Sequence, residues 1–117
     1  MLYHKDVYIP EGMREKIPLS FRVEFSKHSI NELENDLKRY NIKVINIHRN
    51  LNFSLDDIIE VEEENGEITK VVYRQNYNGL YDIVYAINMK DFIVKTIWLQ
   101  QINDKHITLK RGKYEIH

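Results

Sequence analysis

Between residues 56 and 109, apolar and polar positions alternate in short runs, and polar breaks separate the runs. A period of two belongs to half-buried β-strands. The pattern predicts strands over 58–62, 68–75, 80–88 and 92–100, with a short fifth strand over 106–109. The first two breaks are Asn65-Gly66 and Asn78-Gly79. Asn-Gly favours positive φ, so both read as tight hairpin turns. Met89-Lys90-Asp91 and Asn103-Asp104-Lys105 supply the later turns. The whole stretch reads as an antiparallel meander.

Upstream, Phe21, Val23 and Phe25 alternate with Arg22 and Glu24, which predicts one further half-buried strand over 20–25. Ser29-Ile30-Asn31-Glu32 matches a capping box with Ser29 as N-cap. Ile30, Leu33, Leu37 and Tyr40 follow at helical spacing and form a narrow apolar stripe, suited to packing on a sheet face. Residues 42–47 suit a short strand or an extended connector. Residues 49–57 are polar and read as a loop pinned by Leu51, Phe53 and Leu55, with Ser54 able to cap a helical turn. Pro10, Gly12 and Pro18 interrupt the first residues. Residues 1–19 therefore read as an N-terminal arm, whose Tyr3, Val7, Tyr8 and Ile9 can pack on the domain or on a second subunit. Residues 20–117 read as a single α+β domain: an N-terminal helix on a four- to five-stranded antiparallel sheet.

Parity along the strands sharpens the picture. Phe92, Val94, Thr96 and Trp98 share one face of their strand, and Ile93, Lys95, Ile97 and Leu99 share the other. Both faces are largely apolar, which predicts a central strand covered on both sides. Arg74 falls on the face of Ile68 and Val72, opposite Val71 and Tyr73. A lone cation on an apolar face must snorkel, form an ion pair, or line a cleft.

At 117 residues the chain suits one domain with one core. Its net charge of -1 conceals an asymmetry. Asp56, Asp57, Glu60, Glu62, Glu63, Glu64 and Glu67 form an acidic block without a basic residue. From 68 onward, Lys and Arg exceed Asp and Glu. The acidic block suits the solvated face of an edge strand, where charge discourages pairing with other chains. The basic half suits an ordinary solvated surface or contact with a polyanion. No cysteine is present, so thiolate metal sites and disulfides are excluded. No apolar run approaches the roughly 20 residues of a membrane helix, and the first residues lack the apolar core of a signal peptide. The expected location is a cytoplasm, with no membrane partner.

The five histidines show no metal-ligand spacing, and neither a Gly-rich phosphate loop nor a GxSxG elbow occurs. No metal or cofactor is expected. The polar residues left on the helix and sheet are Lys27, His28, Arg74, Lys95, Thr96, His106 and Thr108. Metal-free cleavage of RNA needs groups of this kind. A base takes the ribose 2′-OH proton, an acid protonates the leaving oxygen, and cations stabilise the transition state. Tyr73 and its neighbouring aromatics are candidates for stacking unpaired bases. Each residue also has a plain structural reading. His28 suits a helix-end surface residue, Arg74 an ion pair with Asp82 or Glu60, Lys95 a snorkelling side chain, and Thr96 a strand former. His106 suits a turn-flanking residue, and Tyr73 a core residue.

Ser26-Lys27-His28-Ser29, Val71-Val72-Tyr73-Arg74, Val94-Lys95-Thr96-Ile97-Trp98 and Asp104-Lys105-His106-Ile107-Thr108-Leu109 together carry a resemblance. The chain resembles a family of small uncharacterised proteins of tailed bacteriophages. More distantly it resembles the RNase toxins of the barnase, colicin-RNase and RelE-like class. The toxin resemblance implies a metal-independent endoribonuclease, with His28, Arg74, Thr96 and His106 as catalytic groups. Lys27, Lys95, Thr108 and Tyr73 would be substrate-binding. This chain has Glu32 where related toxin domains place an arginine after the helix histidine. The phage resemblance implies instead a non-catalytic accessory or virion-associated protein that binds a host or phage protein. RNA binding without cleavage and homo-oligomer formation are the further expectations.

Overall fold

The computed structural model describes residues 1–43, 47–104 and 114–115. The predicted strand over 106–109, with His106 and Thr108, lies outside the described residues. So do residues 44–46 of the predicted 42–47 connector.

The meander forms as the alternation dictates. Strands β5 (Ile58–Glu64), β6 (Glu67–Asn76), β7 (Tyr81–Asn88) and β8 (Ile93–Gln101) pair antiparallel in sequence order. Asn65 and Gly66 take φ of 53° and 83°, the geometry of a type I′ hairpin turn. The second Asn-Gly pair works differently. Gly79 is not at positive φ. The loop is instead tied by Asn78 Oδ1, which accepts from the amides of Leu80 and Tyr81, both at 2.8 Å.

The sheet is wider than the predicted four or five strands. Its order is β1-β5-β6-β7-β8-β3, with β1 spanning Leu2–His4 and β3 spanning Glu24–Phe25. β1 pairs antiparallel outside β5, so the acidic strand is not the edge. The strand holding Lys95 and Thr96 is not central either. It is penultimate, flanked by the two-residue parallel β3. The single strand predicted over 20–25 divides at Val23. β2 (Ser20–Arg22) pairs with β4 (Asn50–Asn52) in a separate two-stranded sheet. Val23 is buried and its amide donates to the Arg49 carbonyl, which marks the changeover between sheets. The stretch over 49–57 is thus part strand. Its end is a 3₁₀ turn, Leu55–Asp57, closed by the capping box of Ser54 and Asp57.

The short helix α1 spans Glu11–Arg14, and the main helix α2 spans Lys27–Arg39. α2 starts one turn earlier than its sequence signal. Ser26, not Ser29, is the N-cap: its Oγ accepts from the Ser29 amide at 3.1 Å. Ser29 is buried, and its hydroxyl donates back to the Ser26 carbonyl. The parallel pairing of β3 ends at Phe25, and Ser26 is bound to Val94 and Lys95, so the chain turns there. At the other end Asn41 has φ 56°, and the amides of Asn41 and Ile42 bond the Lys38 and Leu37 carbonyls. That is a Schellman stop with asparagine in the glycine position.

α2 lies against β8 and buries Leu33, with Leu37 and Tyr40 packed on the main core. It also closes the outer edge of β8: the buried Asp36 accepts from the Leu99 amide at 2.9 Å. Removing that acceptor leaves a buried amide without a partner. Asp36→Ala is expected to cost about 1–3 kcal/mol. In hydrogen exchange, the Leu99 amide should lose protection before its neighbours in β8.

The main core occupies the helix-bearing face. Phe53 stacks on Tyr73 with ring centroids 4.1 Å apart, and Phe21 leans on both rings. Burial pushes the Tyr85 phenol up to about 12 and raises Tyr73 as well. Both groups are favoured neutral in the fold, so their contribution is complete below the ordinary tyrosine value near 10. It is lost as pH rises through that value toward the folded one. The urea midpoint should therefore hold steady up to about pH 9.5 and fall between about pH 10 and 12.

Candidate binding face

The opposite face of the sheet carries none of the described helices, and it holds Arg74, Lys95 and Thr96 of the predicted site residues. Three irregularities set its side chains. The ladder gains an extra residue at Ile59 in β5, at Thr69 in β6 and at Lys95 in β8. A bulge reverses strand parity beyond it. Ile68 therefore packs on the helix-side core rather than beside Arg74. Val94 and Ile97 are both in that core despite their odd spacing. Lys95 is exposed at its bulge, and its carbonyl accepts from Ser26 Oγ at 3.2 Å.

The helix-free face has a small apolar centre of Ile59, Val72 and Val84, with Ala86 and Trp98 against it. A groove lies on either side. The larger, about 550 Å³, is lined by Lys5, Asp6, Asp57, Arg74, Asn76 and Asp82, among others. The smaller, about 280 Å³, is lined by Glu62, Glu64, Thr69, Lys70, Asn88, Lys90 and Lys95, together with Ala86.

Arg74 is held within its own groove. Nε donates to Asp82 Oδ2 at 2.7 Å, Nη1 to the Asp104 carbonyl at 2.9 Å, and Nη2 to the carbonyls of Gln101 and Ile102 at 3.1 and 3.4 Å. Both partners of the ion pair are largely buried. Asp82 Oδ1 also accepts from Asn76 Nδ2. The guanidinium thus fastens β6 to β7 and to the turn after β8.

His28 and Lys27 sit in the first turn of α2, not before it, and both are exposed. His28 Nε2 is 3.0 Å from Glu32 Oε1, so Glu32, which replaces the toxin arginine, is its partner. Tyr73 is wholly buried on the helix side, where its hydroxyl donates to the Pro18 carbonyl at 2.7 Å. Thr96 is half-buried and lies opposite Ala86. Lys95 and Thr96 are neighbours at one end of β8, close to the start of α2. Arg74 is bound to residues beyond the other end. From Lys95 to Gln101 is six residues of strand, about 20 Å. The structure brings Lys95 and Thr96 together and sets His28 and Arg74 toward opposite ends of β8.

Sequence reading missed Lys70 and Lys90, which share a groove with Lys95. Regular parity does not bring these three together, and no glycine marks the bulges at Thr69 and Lys95. Glu60, the alternative partner expected for Arg74, instead lies 3.9 Å from Lys70 Nζ. Tyr114 hydrogen-bonds Glu60. Burial first, then the Glu60 charge and this bond, push the Tyr114 phenol up to about 12. Among the described residues no group of His, Cys, Asp and Glu is arranged to hold a metal ion. No described helix is long and apolar enough to cross a membrane.

Comparison of the chain with protein-family models, curated proteins and solved structures finds no match.

Proposed function

We propose that this chain is a non-catalytic binding protein that uses the helix-free face of its sheet to hold a partner protein. The observation that carries this reading is the state of Arg74. Its Nε, Nη1 and Nη2 all donate to Asp82 and to backbone carbonyls of the same chain. A phosphodiester-cleaving site needs a cation free to meet charge that develops in the transition state. Here that cation is engaged in holding strands together. His28, the base candidate on α2, is exposed, pairs with Glu32, and lies toward the opposite end of β8 from Arg74. The face itself suits recognition better than chemistry: a small apolar centre flanked by two polar grooves. The accessory-protein role implied by the phage resemblance is the same reading in functional terms.

The test is capture of a partner by the tagged chain, compared with two folded variants. Thr96→Glu places a charge on the helix-free face, whereas Lys38→Glu alters the exposed side of α2. The expected result is that Thr96→Glu loses a partner that the parent chain and Lys38→Glu both retain. Loss with Lys38→Glu alone moves the binding surface to the helix and overturns the assignment.

A further inference from the structure

We infer that the smaller groove on the helix-free face is a site for a phosphate-bearing anion, with Lys70, Lys90 and Lys95 as its cationic ligands. The inference rests on reading that face as a binding surface and goes beyond it by naming a ligand chemistry. Three lysines line one groove of about 280 Å³. That volume suits one or two phosphate groups rather than a nucleic-acid duplex, whose major groove alone is roughly 12 Å wide.

The three lysines come from different elements. Lys70 is on β6 next to the bulge at Thr69, Lys90 is in the β7–β8 turn, and Lys95 is the bulged residue of β8. Bulges re-aim side chains and gather at functional sites. Two of the three bulges among the described residues border this groove. The local backbone is braced. The Lys95 carbonyl is bound by Ser26, and Asn88 Oδ1 accepts from the Lys90 amide at 2.9 Å. The latter bond leaves the Asn88 Nδ2 group as a donor beside the lysines.

Two of the three charges are not consumed internally, and the third, on Lys70, is shared with Glu60. Lys90 and Lys95 have no ion-pair partner among the described residues, and Lys70 reaches Glu60 only at 3.9 Å. Glu62 and Glu64 also line the groove and oppose an anion. Glu62 is held by the Thr69 hydroxyl at 2.9 Å. Glu64 is exposed at the hairpin end, free to turn outward. The start of α2 adds to the positive field beside Lys95. Its first turn has no acidic residue and carries Lys27 and His28, although helices favour acidic groups there.

The purified full chain should be titrated with pyrophosphate at constant ionic strength, with backbone amide NMR as the readout. Saturable shifts are expected, concentrated at Thr69, Lys70, Asn88, Lys90 and Lys95. Lys90→Gln with Lys95→Gln should weaken binding at least about tenfold while the spectrum stays folded. Glu64→Gln should tighten it. A single-stranded RNA oligomer forms the second arm. Tighter binding at the same amides assigns the phosphate to a nucleic acid, and binding of pyrophosphate alone assigns it to a small molecule. Shifts spread over all lysines, unsaturable binding, or an unchanged affinity in the double variant overturns the site. Pyrophosphate binding needs no protein partner, so this result stands apart from partner capture.

Discussion

Arg74→Ala is expected to destabilise the domain by about 3–5 kcal/mol, the scale for removing one partner of a buried ion pair. The Arg74 and Asp82 side chains are only 13% and 16% exposed. Alanine leaves the Asp82 carboxylate with Asn76 alone and strips donors from the carbonyls of Gln101, Ile102 and Asp104. The melting temperature should fall by roughly 10 °C or more for a chain of this size. Arg74→Lys keeps the charge but loses the planar fork, which alone reaches several acceptors at once. It should recover only part of the loss. Urea unfolding of the three proteins measures this. A loss below about 1 kcal/mol for the alanine variant would mean that the guanidinium is not a structural clamp.

Phe53→Ala should cost a similar amount, about 3–5 kcal/mol, through the cavity it opens. Phe53 is 6% exposed, stacks on Tyr73, and meets the Tyr85 ring edge-on at 5.5 Å. Its amide donates to the Leu19 carbonyl at 2.7 Å and so extends the β2–β4 pairing, while its ring meets Tyr73 and Tyr85 of the main sheet. Domains of this kind have total stabilities of about 5–15 kcal/mol, so the variant sits near the folding threshold. Thermal denaturation followed by circular dichroism reads the effect. Phe53→Leu, which refills most of the cavity, should lose distinctly less.

These two residues show where the sequence was legible. Alternation alone puts Arg74 on a strand as a lone cation on an apolar face, and the sequence offers Asp82 as one of two ion-pair partners. The four meander strands follow from alternation and turn chemistry, both of which are local. From sequence Phe53 reads as a pin in a loop, but the adjoining β4 is three residues long and exists only because β2 lies beside it. Such a pairing has no local signal. The same holds for β1, which covers the acidic strand from a segment with little periodicity, and for the break at Val23.

The bulges explain the rest. Counting in twos assigns the residues of a strand to its two faces, and a single extra residue inverts the count. Ile68 moved to the core and Lys95 moved away from Ile97 and Leu99 for this reason. The groove of Lys70, Lys90 and Lys95 depends on those inversions. The N-cap shift from Ser29 to Ser26 has a related cause. Two serines three residues apart both suit a cap, and the contact of Ser26 with β8 decides between them.

Incubating the purified chain with labelled single-stranded RNA in EDTA decides between a binding face and a ribonuclease site. With Arg74 bound to Asp82 and His28 to Glu32, the RNA should remain intact, at the background rate of a protein-free control. Cleavage that persists in EDTA and disappears in folded His28→Gln and Arg74→Lys variants would contradict the non-catalytic reading.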